Sequence, residues 1–215
     1  MSRRFDTTDP QDRERGIDLA VGALQRGDLV VLPTDTVYGL ASDAFRADGV
    51  EAMRAARGSG RSPLPVMVAS VATLDGIAQV PATARDLVEA FWPGALTLVC
   101  AAQPSLAWDL GDARGTVSVR MPLHPVALEV IARVGPTAVT SANRAGGQAP
   151  LDCHAARDEL GDAVAIYLDA GSCEAGLAST VLDVTGDVPR VLREGAVPLE
   201  LLREVAPDTL APVTA

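Results

Sequence analysis

Lysine is missing from this 215-residue chain: all 18 of its basic residues are arginine. A P-loop lysine and a Schiff-base lysine are therefore excluded before any motif is read. Phosphate or carboxylate binding must fall to guanidinium, whose planar fork grips two oxygens at once. Aromatics are scarce at 3%, so stacking platforms for nucleic acid are few and a hydrophobic fraction of 48% has to build its core mostly from Val, Leu, Ile and Ala. The three cysteines, Cys100, Cys153 and Cys173, lie far apart with no C-x-x-C pair, which fits reduced thiols better than a disulfide frame or zinc site. With His124 and His154 alone, a histidine metal cluster is excluded. Net positive charge is lacking too. Acidic residues outnumber basic ones by 28 to 18, a formal charge of −10, which argues against holding a long phosphate backbone by overall field. A small anion in a local basic pocket is still permitted. No run approaches the ~18 apolar residues of a membrane span. The opening Met1-Ser2-Arg3-Arg4-Phe5-Asp6 lacks an apolar signal core, so the cytoplasm is the expected compartment.

The length fits a single domain, read here as residues 1–207 with a frayed tail over 208–215. Apolar runs of strand length alternate with segments of helical period, the pattern of an α/β domain. Helices are expected over Ile17–Gln25, from an Asp48 N-cap through Ala56, from near Pro81 to Phe91, over Val126–Ile131, from an Asp152 cap to Leu160, and over Leu199–Val205. Strands are expected at Leu29–Leu32, Leu64–Val68, Ala95–Ala101, Thr116–Arg120, Ala138–Thr140, Val164–Leu168, Thr180–Val184 and Arg190–Arg193. The whole reads as a twisted open mixed sheet of about seven strands with flanking helices.

Polar clusters fall at strand ends, where ligands of open α/β sheets bind. Pro33-Thr34-Asp35-Thr36-Val37-Tyr38-Gly39-Leu40 follows a buried strand and offers two hydroxyls, a carboxylate and a phenol; an Asx-turn with a packed tyrosine is the plainer reading. Arg57-Gly58-Ser59-Gly60-Arg61-Ser62 combines two guanidiniums with free backbone donors, which suits a polyphosphate but also a solvated turn. In Thr116-Val117-Ser118-Val119-Arg120 alternation puts Thr116, Ser118 and Arg120 on one face. A buried charge there needs a partner, either a ligand anion or an internal Asp or Glu. Thr140-Ser141-Ala142-Asn143 and the pairing of Ser179-Thr180 with Leu192-Arg193-Glu194-Gly195 complete the set. His124, His154, Trp92, Trp108 and Cys100 read as structural.

In order, these segments resemble the YrdC-like family, the threonylcarbamoyl-AMP synthases and their YciO relatives, over about Gly27 to Gly195. Residues Pro33 to Leu40 are similar to the family's opening signature and Phe91-Trp92-Pro93-Gly94-Ala95-Leu96-Thr97-Leu98 to its central one. Ser118-Val119-Arg120-Met121-Pro122, Thr140 to Asn143, Ser179-Thr180-Val181 and Leu192 to Gly195 follow. The resemblance implies that L-threonine, bicarbonate and ATP, with Mg2+, are joined into threonylcarbamoyl-AMP and pyrophosphate. The product then passes to downstream transfer proteins that modify tRNA, with tRNA itself a possible contact. By position it implies that Thr34, Thr36, Arg120 and Ser179 hold threonine and that Arg57, Arg61, Ser62, Thr116, Ser141, Asn143 and Arg193 hold the nucleotide. No catalytic nucleophile and no protein-held metal are implied; the mechanism is positioning plus charge neutralisation.

The chain departs from the family pattern at one loop. A Lys-x-Arg pair is usual ahead of Pro-Leu, whereas here Arg57 and Arg61 stand for those two cations, and Met67 occupies a place where some members carry histidine. That loop leaves open a YciO-like paralogue that binds nucleotide or RNA with weak or no synthase activity. An RNA-binding module is disfavoured by the charge and the few aromatics.

Overall fold

The computed structural model describes residues 2–173 and 176–213. In chain order the elements are β1 (Arg3–Asp6), α1 (Pro10–Arg26), β2 (Val30–Leu32), β3 (Gly39–Asp43), α2 (Ala47–Arg57), β4 (Val66–Met67), α3 (Val71–Ile77), β5 (Ala78–Gln79), α4 (Ala82–Phe91) and β6 (Leu96–Ala102). They continue with β7 (Thr116–Arg120), α5 (Pro125–Val134), β8 (Thr137–Ser141), α6 (Cys153–Leu160), β9 (Ile166–Asp169), β10 (Thr180–Asp183), β11 (Arg190–Arg193) and α7 (Leu199–Val205). The strands form one open mixed sheet in the order β1-β9-β2-β3-β8-β4-β7-β6-β10-β11, with β5 on the flank of β6. No helix among the described residues is long and apolar enough to cross a membrane.

Local chemistry explains the elements that frame the sheet. Asp9 caps α1 by accepting from the Gln11 and Asp12 amides at 3.0 and 2.9 Å, with Pro10 in the first turn. The buried residues Ile17, Ala20, Val21 and Leu24 recur at helical spacing and give α1 one apolar stripe. That stripe packs with Val126 and Val130 of α5 over Val30 and Leu32 of β2. Val31 points the other way, into a larger core with Tyr38, Leu40, Met53 and Leu98. Successive residues of a strand face opposite sides, so this short strand is buried on both faces and helices cover the sheet on both sides.

The fold class stands as expected, while the eight strand ranges expected, read as a sheet of about seven, become 11 strands among the described residues. β1, β3 and β5 are the additions, together with helix α3. β1 carries two arginines and an aspartate and is held by parallel pairing to β9. β3, of sequence GLASD, gains its stability from antiparallel pairing on both edges, to β2 and β8. Asp48 is not the N-cap of α2. Arg46 takes that position without a side-chain cap, and Asp48 forms an ion pair with Arg46. The stretch beyond Pro207 is tied down as far as residue 210. Thr209 is buried, the Val191 amide donates to the Leu210 carbonyl at 2.9 Å and the Leu210 amide to the Pro189 carbonyl at 2.9 Å.

Candidate functional site

Seven strands that are neighbours in the sheet, from β3 to β11, bring residues to one concave cavity of about 230 Å³. Thr34, Thr36 and Val37 reach it from the β2–β3 loop, Met67 from β4, Thr97 from β6, Arg120 from β7, Ser141 from β8, Ser179 from the entry to β10 and Arg193 from the end of β11. The hydroxyls are pre-arranged. Thr34 Oγ1 lies 3.0 Å from Thr36 Oγ1 and donates to the Val37 carbonyl at 2.7 Å, closing the turn on itself. Thr97 Oγ1 and Ser179 Oγ lie 2.8 Å apart on the opposite wall.

Arg120 is the buried cation of the site, at 4% exposure. Its Nε donates to the Gly94 carbonyl at 2.9 Å, its NH1 to Thr36 Oγ1 at 2.8 Å and its NH2 to Asp35 Oδ1 at 2.6 Å. Burial pulls its pKa down, the Asp35 carboxylate opposes that, and the Arg193 charge pulls it further down. Arg193 donates to the carbonyl and hydroxyl of Ser179, at 2.8 and 3.2 Å from NH2. It makes no ion pair among the described residues, and burial lowers its pKa. The Arg193 charge thus presses on an Arg120 that Asp35 already pairs, and an anion beside Arg193 would relieve that repulsion.

The structure sorts the residues singled out in the sequence. Thr34, Thr36, Arg120, Ser179, Ser141 and Arg193 line the cavity together. Arg57 and Asn143 sit behind it. The Arg57 guanidinium donates to the Ser141 carbonyl, to Ser141 Oγ at 3.1 Å and to the Asn143 carbonyl at 2.8 Å, and the Asn143 amide donates to the carbonyls of Arg144 and Gly147 at 2.7 and 2.8 Å. Together they clamp the loop that presents Ser141. Arg61, Ser62 and Thr116 are not brought to the cavity. Arg61 is exposed and forms ion pairs with Asp109 and Asp112, both at 3.0 Å, because the acidic loop after Trp108 lies nearer than the cavity. Ser62 is exposed, its carbonyl accepting from buried Arg54 at 3.0 Å. Thr116 donates to the Ala113 carbonyl at 2.7 Å and, with Ser118, lines a separate recess beside Trp108 and Leu110.

One participant, Thr97, was not among the residues singled out in the sequence. Thr97 faces the cavity because Leu96, Leu98 and Cys100 of the same strand take the core side; a threonine set against that alternation was the available signal. Asp35 answers the question of what pairs with Arg120. His124, at the N-cap of α5, keeps a buried Nδ1 without a partner among the described residues, and burial lowers its pKa. The tryptophans are packing residues, Trp92 donating to the Leu96 carbonyl at 2.8 Å and Trp108 stacking on Phe45 with centroids 5.3 Å apart.

The family model Sua5_yciO_yrdC, described as "Telomere recombination", matches residues 22–195. The chain belongs to the Sua5/YciO/YrdC family. A Mycobacterium tuberculosis member named "Putative threonylcarbamoyl-AMP synthase" is 54% identical over 207 residues, covering 95% of each chain. The structure of P. abyssi Sua5 complexed with L-threonine superposes with a TM-score of 0.91 at 32% identity. It matches 98% of this chain, which spans 62% of that Sua5 chain. E. coli YciO superposes with a TM-score of 0.84 at 26% identity, covering 93% of this chain and 98% of that one.

Proposed function

We propose that the chain is an L-threonylcarbamoyl-AMP synthase acting in tRNA threonylcarbamoyladenosine modification. The observation that carries this reading is the convergence of Arg120 and Arg193 on one cavity lined by threonine and serine hydroxyls. The name of the M. tuberculosis relative and the L-threonine in the P. abyssi relative's structure support it. In this reading Arg120, with Thr34 and Thr36, receives the threonine carboxylate, while Arg193 and Ser141 face the nucleotide phosphates and Ser179 stands between the two substrates. The threonine amine forms a C–N bond with the carbon of bicarbonate-derived CO2 and gives up a proton. A carbamate oxygen then forms a bond to the α-phosphorus, and the α–β bridging oxygen leaves with pyrophosphate. That makes the protein a nucleotidyltransferase.

Among the described residues no group with an adjacent base lines the cavity, so the residues work by holding reactants in line and offsetting charge. The described residues of the lining supply neutral oxygens and no carboxylate. Mg2+, which favours carboxylate and phosphate oxygens, therefore fits this site as an ion carried on the triphosphate, where it would draw charge from the leaving pyrophosphate. Purified protein is expected to release pyrophosphate only when L-threonine, bicarbonate, ATP and Mg2+ are all present. Turnover that does not depend on threonine would sink the assignment.

A second reading, a YciO-like protein with weak or no synthase activity, has one observation in its favour: Arg61 is held by Asp109 and Asp112 away from the cavity. The same assay separates the two, because that reading expects little or no pyrophosphate release even with all substrates present.

A further inference from the structure

The inference concerns how the cavity selects its amino acid, and it rests on the synthase reading. Arg120 lines the cavity and Asp35 does not. Asp35 stands behind the guanidinium, its Oδ1 accepting from Arg120 NH2 at 2.6 Å and from the Leu123 amide at 3.0 Å. Both side chains are shielded, at 5% and 14% exposure. A guanidinium has five N–H groups, and Gly94, Thr36 and Asp35 take one from each nitrogen. Among the described residues this leaves one N–H on each terminal nitrogen. The fork that meets the ligand therefore keeps donors, although its charge is already balanced from behind.

That balance decides what can be buried there. A zwitterion laid against a neutral Arg120–Asp35 pair leaves the shielded end of the cavity uncharged. A simple carboxylate of the same shape leaves it with a net negative charge out of water, which is costly. Remove the Asp35 charge and the order inverts: the lone guanidinium then pairs with the simple carboxylate, and the zwitterion leaves an excess positive charge. At the opposite end Arg193 carries no ion pair among the described residues, so net anionic charge is directed there.

We propose that Asp35 is a specificity-determining residue: by neutralising Arg120 from behind, it makes the threonine end of the cavity accept a zwitterionic amino acid and reject the corresponding hydroxy acid that lacks the amine. It acts through Arg120 and touches no reacting atom. The test is calorimetry of L-threonine and of (R)-3-hydroxybutanoate, which keeps the carboxylate, hydroxyl and methyl of threonine but not its ammonium. Wild-type protein is expected to prefer L-threonine, and Asp35→Asn, which keeps an oxygen for Arg120 and Leu123, to lower that preference at least about tenfold, with hydroxybutanoate binding tighter than in the wild type. Asp35→Glu, which restores the charge, is expected to recover part of the preference. Equal weakening of both ligands in Asp35→Asn, with ATP binding and melting temperature as in the wild type, would reduce Asp35 to a scaffold residue and overturn the proposal. Wild-type protein offers a check that needs no variant: hydroxybutanoate binding within about threefold of L-threonine is incompatible with charge selection at this site. Failure of wild-type protein to bind L-threonine at all would instead overturn the synthase reading on which the proposal rests.

Discussion

Arg193 and Arg61 carry the same group into different surroundings, and their substitutions should read differently. Arg193 reaches the cavity, where among the described residues it bonds to the carbonyl and hydroxyl of Ser179, and its remaining donors can take phosphate oxygens. Arg61 spends its fork on Asp109 and Asp112 at the surface. Arg193→Ala is expected to weaken ATP binding by roughly ten- to a hundredfold, since hydrogen bonds to a charged partner contribute about 1.5–3 kcal/mol. Arg61→Ala should change ATP binding by less than about twofold, because exposed ion pairs contribute little. Calorimetry with ATP checks both, and equal losses would mean that the Arg61 loop reaches the nucleotide after all. The sequence named Arg120 and Arg193 because each ends a strand-length run beside hydroxyls. It could not tell Arg61 from them, since what disarms Arg61 is an acidic loop about 50 residues further along. Asp35 was legible as part of a polar cluster, but its pairing with Arg120 across 85 residues was not.

The chain just after β11 passes close against the backbone at the entry to β10, where Arg193 meets Ser179, and Gly195 permits it. A Cβ at Gly195 would sit 2.3 Å from the Ala178 carbonyl oxygen and 2.5 Å from both Ser179 C and Thr180 N. All three are backbone atoms, so no side chain can rotate away. Gly195→Ala is therefore expected to destabilise the fold by about 1–3 kcal/mol and to weaken ATP binding as well, by lifting the end of β11 off Ser179. Gly58 makes a suitable control. It ends α2 at φ 67° with open space around its Cβ position, so Gly58→Ala should cost about 1–2 kcal/mol of backbone strain without touching the cavity. Denaturant unfolding alongside ATP titration distinguishes the two, and unchanged ATP affinity in folded Gly195→Ala would refute the strand-spacing argument. The periodic elements α4, β6 and β7 and the second half of α1 were legible because their apolar spacing is unambiguous, whereas the polar first turns of α1, from Pro10, were not. β3 was not, because GLASD carries no β-branched residue and no clear alternation and is a strand by virtue of the neighbours on its two edges. α3 was hidden by its composition, VATLDGI, in which Val71, Thr73, Gly76 and Ile77 are weak helix formers, whereas α7, equally short, is LELLREV and was expected.

At the scale of the whole molecule, the α/β class and the polar ends of the strands were readable, while the strand order was not: it is set by which edges meet in space, so that β9 pairs with β1 and β2. The missing lysine, in turn, clears the alkaline range for an unusually direct stability test. With no lysine to titrate near pH 10, loss of protons between pH 8.5 and 12 falls on three cysteines, two tyrosines and the chain terminus. Burial pushes the Cys100 and Cys153 thiols and the Tyr167 phenol up to about 12, and Tyr38 higher still. In the unfolded chain thiols titrate near 8.5 and phenols near 10. The folded state therefore keeps protons that the unfolded state has lost, so stability is whole below about pH 8.5 and drains away as pH climbs toward 12. Each buried thiol should account for on the order of 1–2 kcal/mol of that loss by pH 10. Urea midpoints measured at pH 7.5, 9 and 10.5 are expected to fall in that order. Both tyrosines are fully buried, so tyrosinate absorbance should appear together with the loss of helical circular dichroism. Tyrosinate formed at pH 10 in protein that is still folded would show that Tyr38 and Tyr167 are not shielded as the packing of the sheet requires.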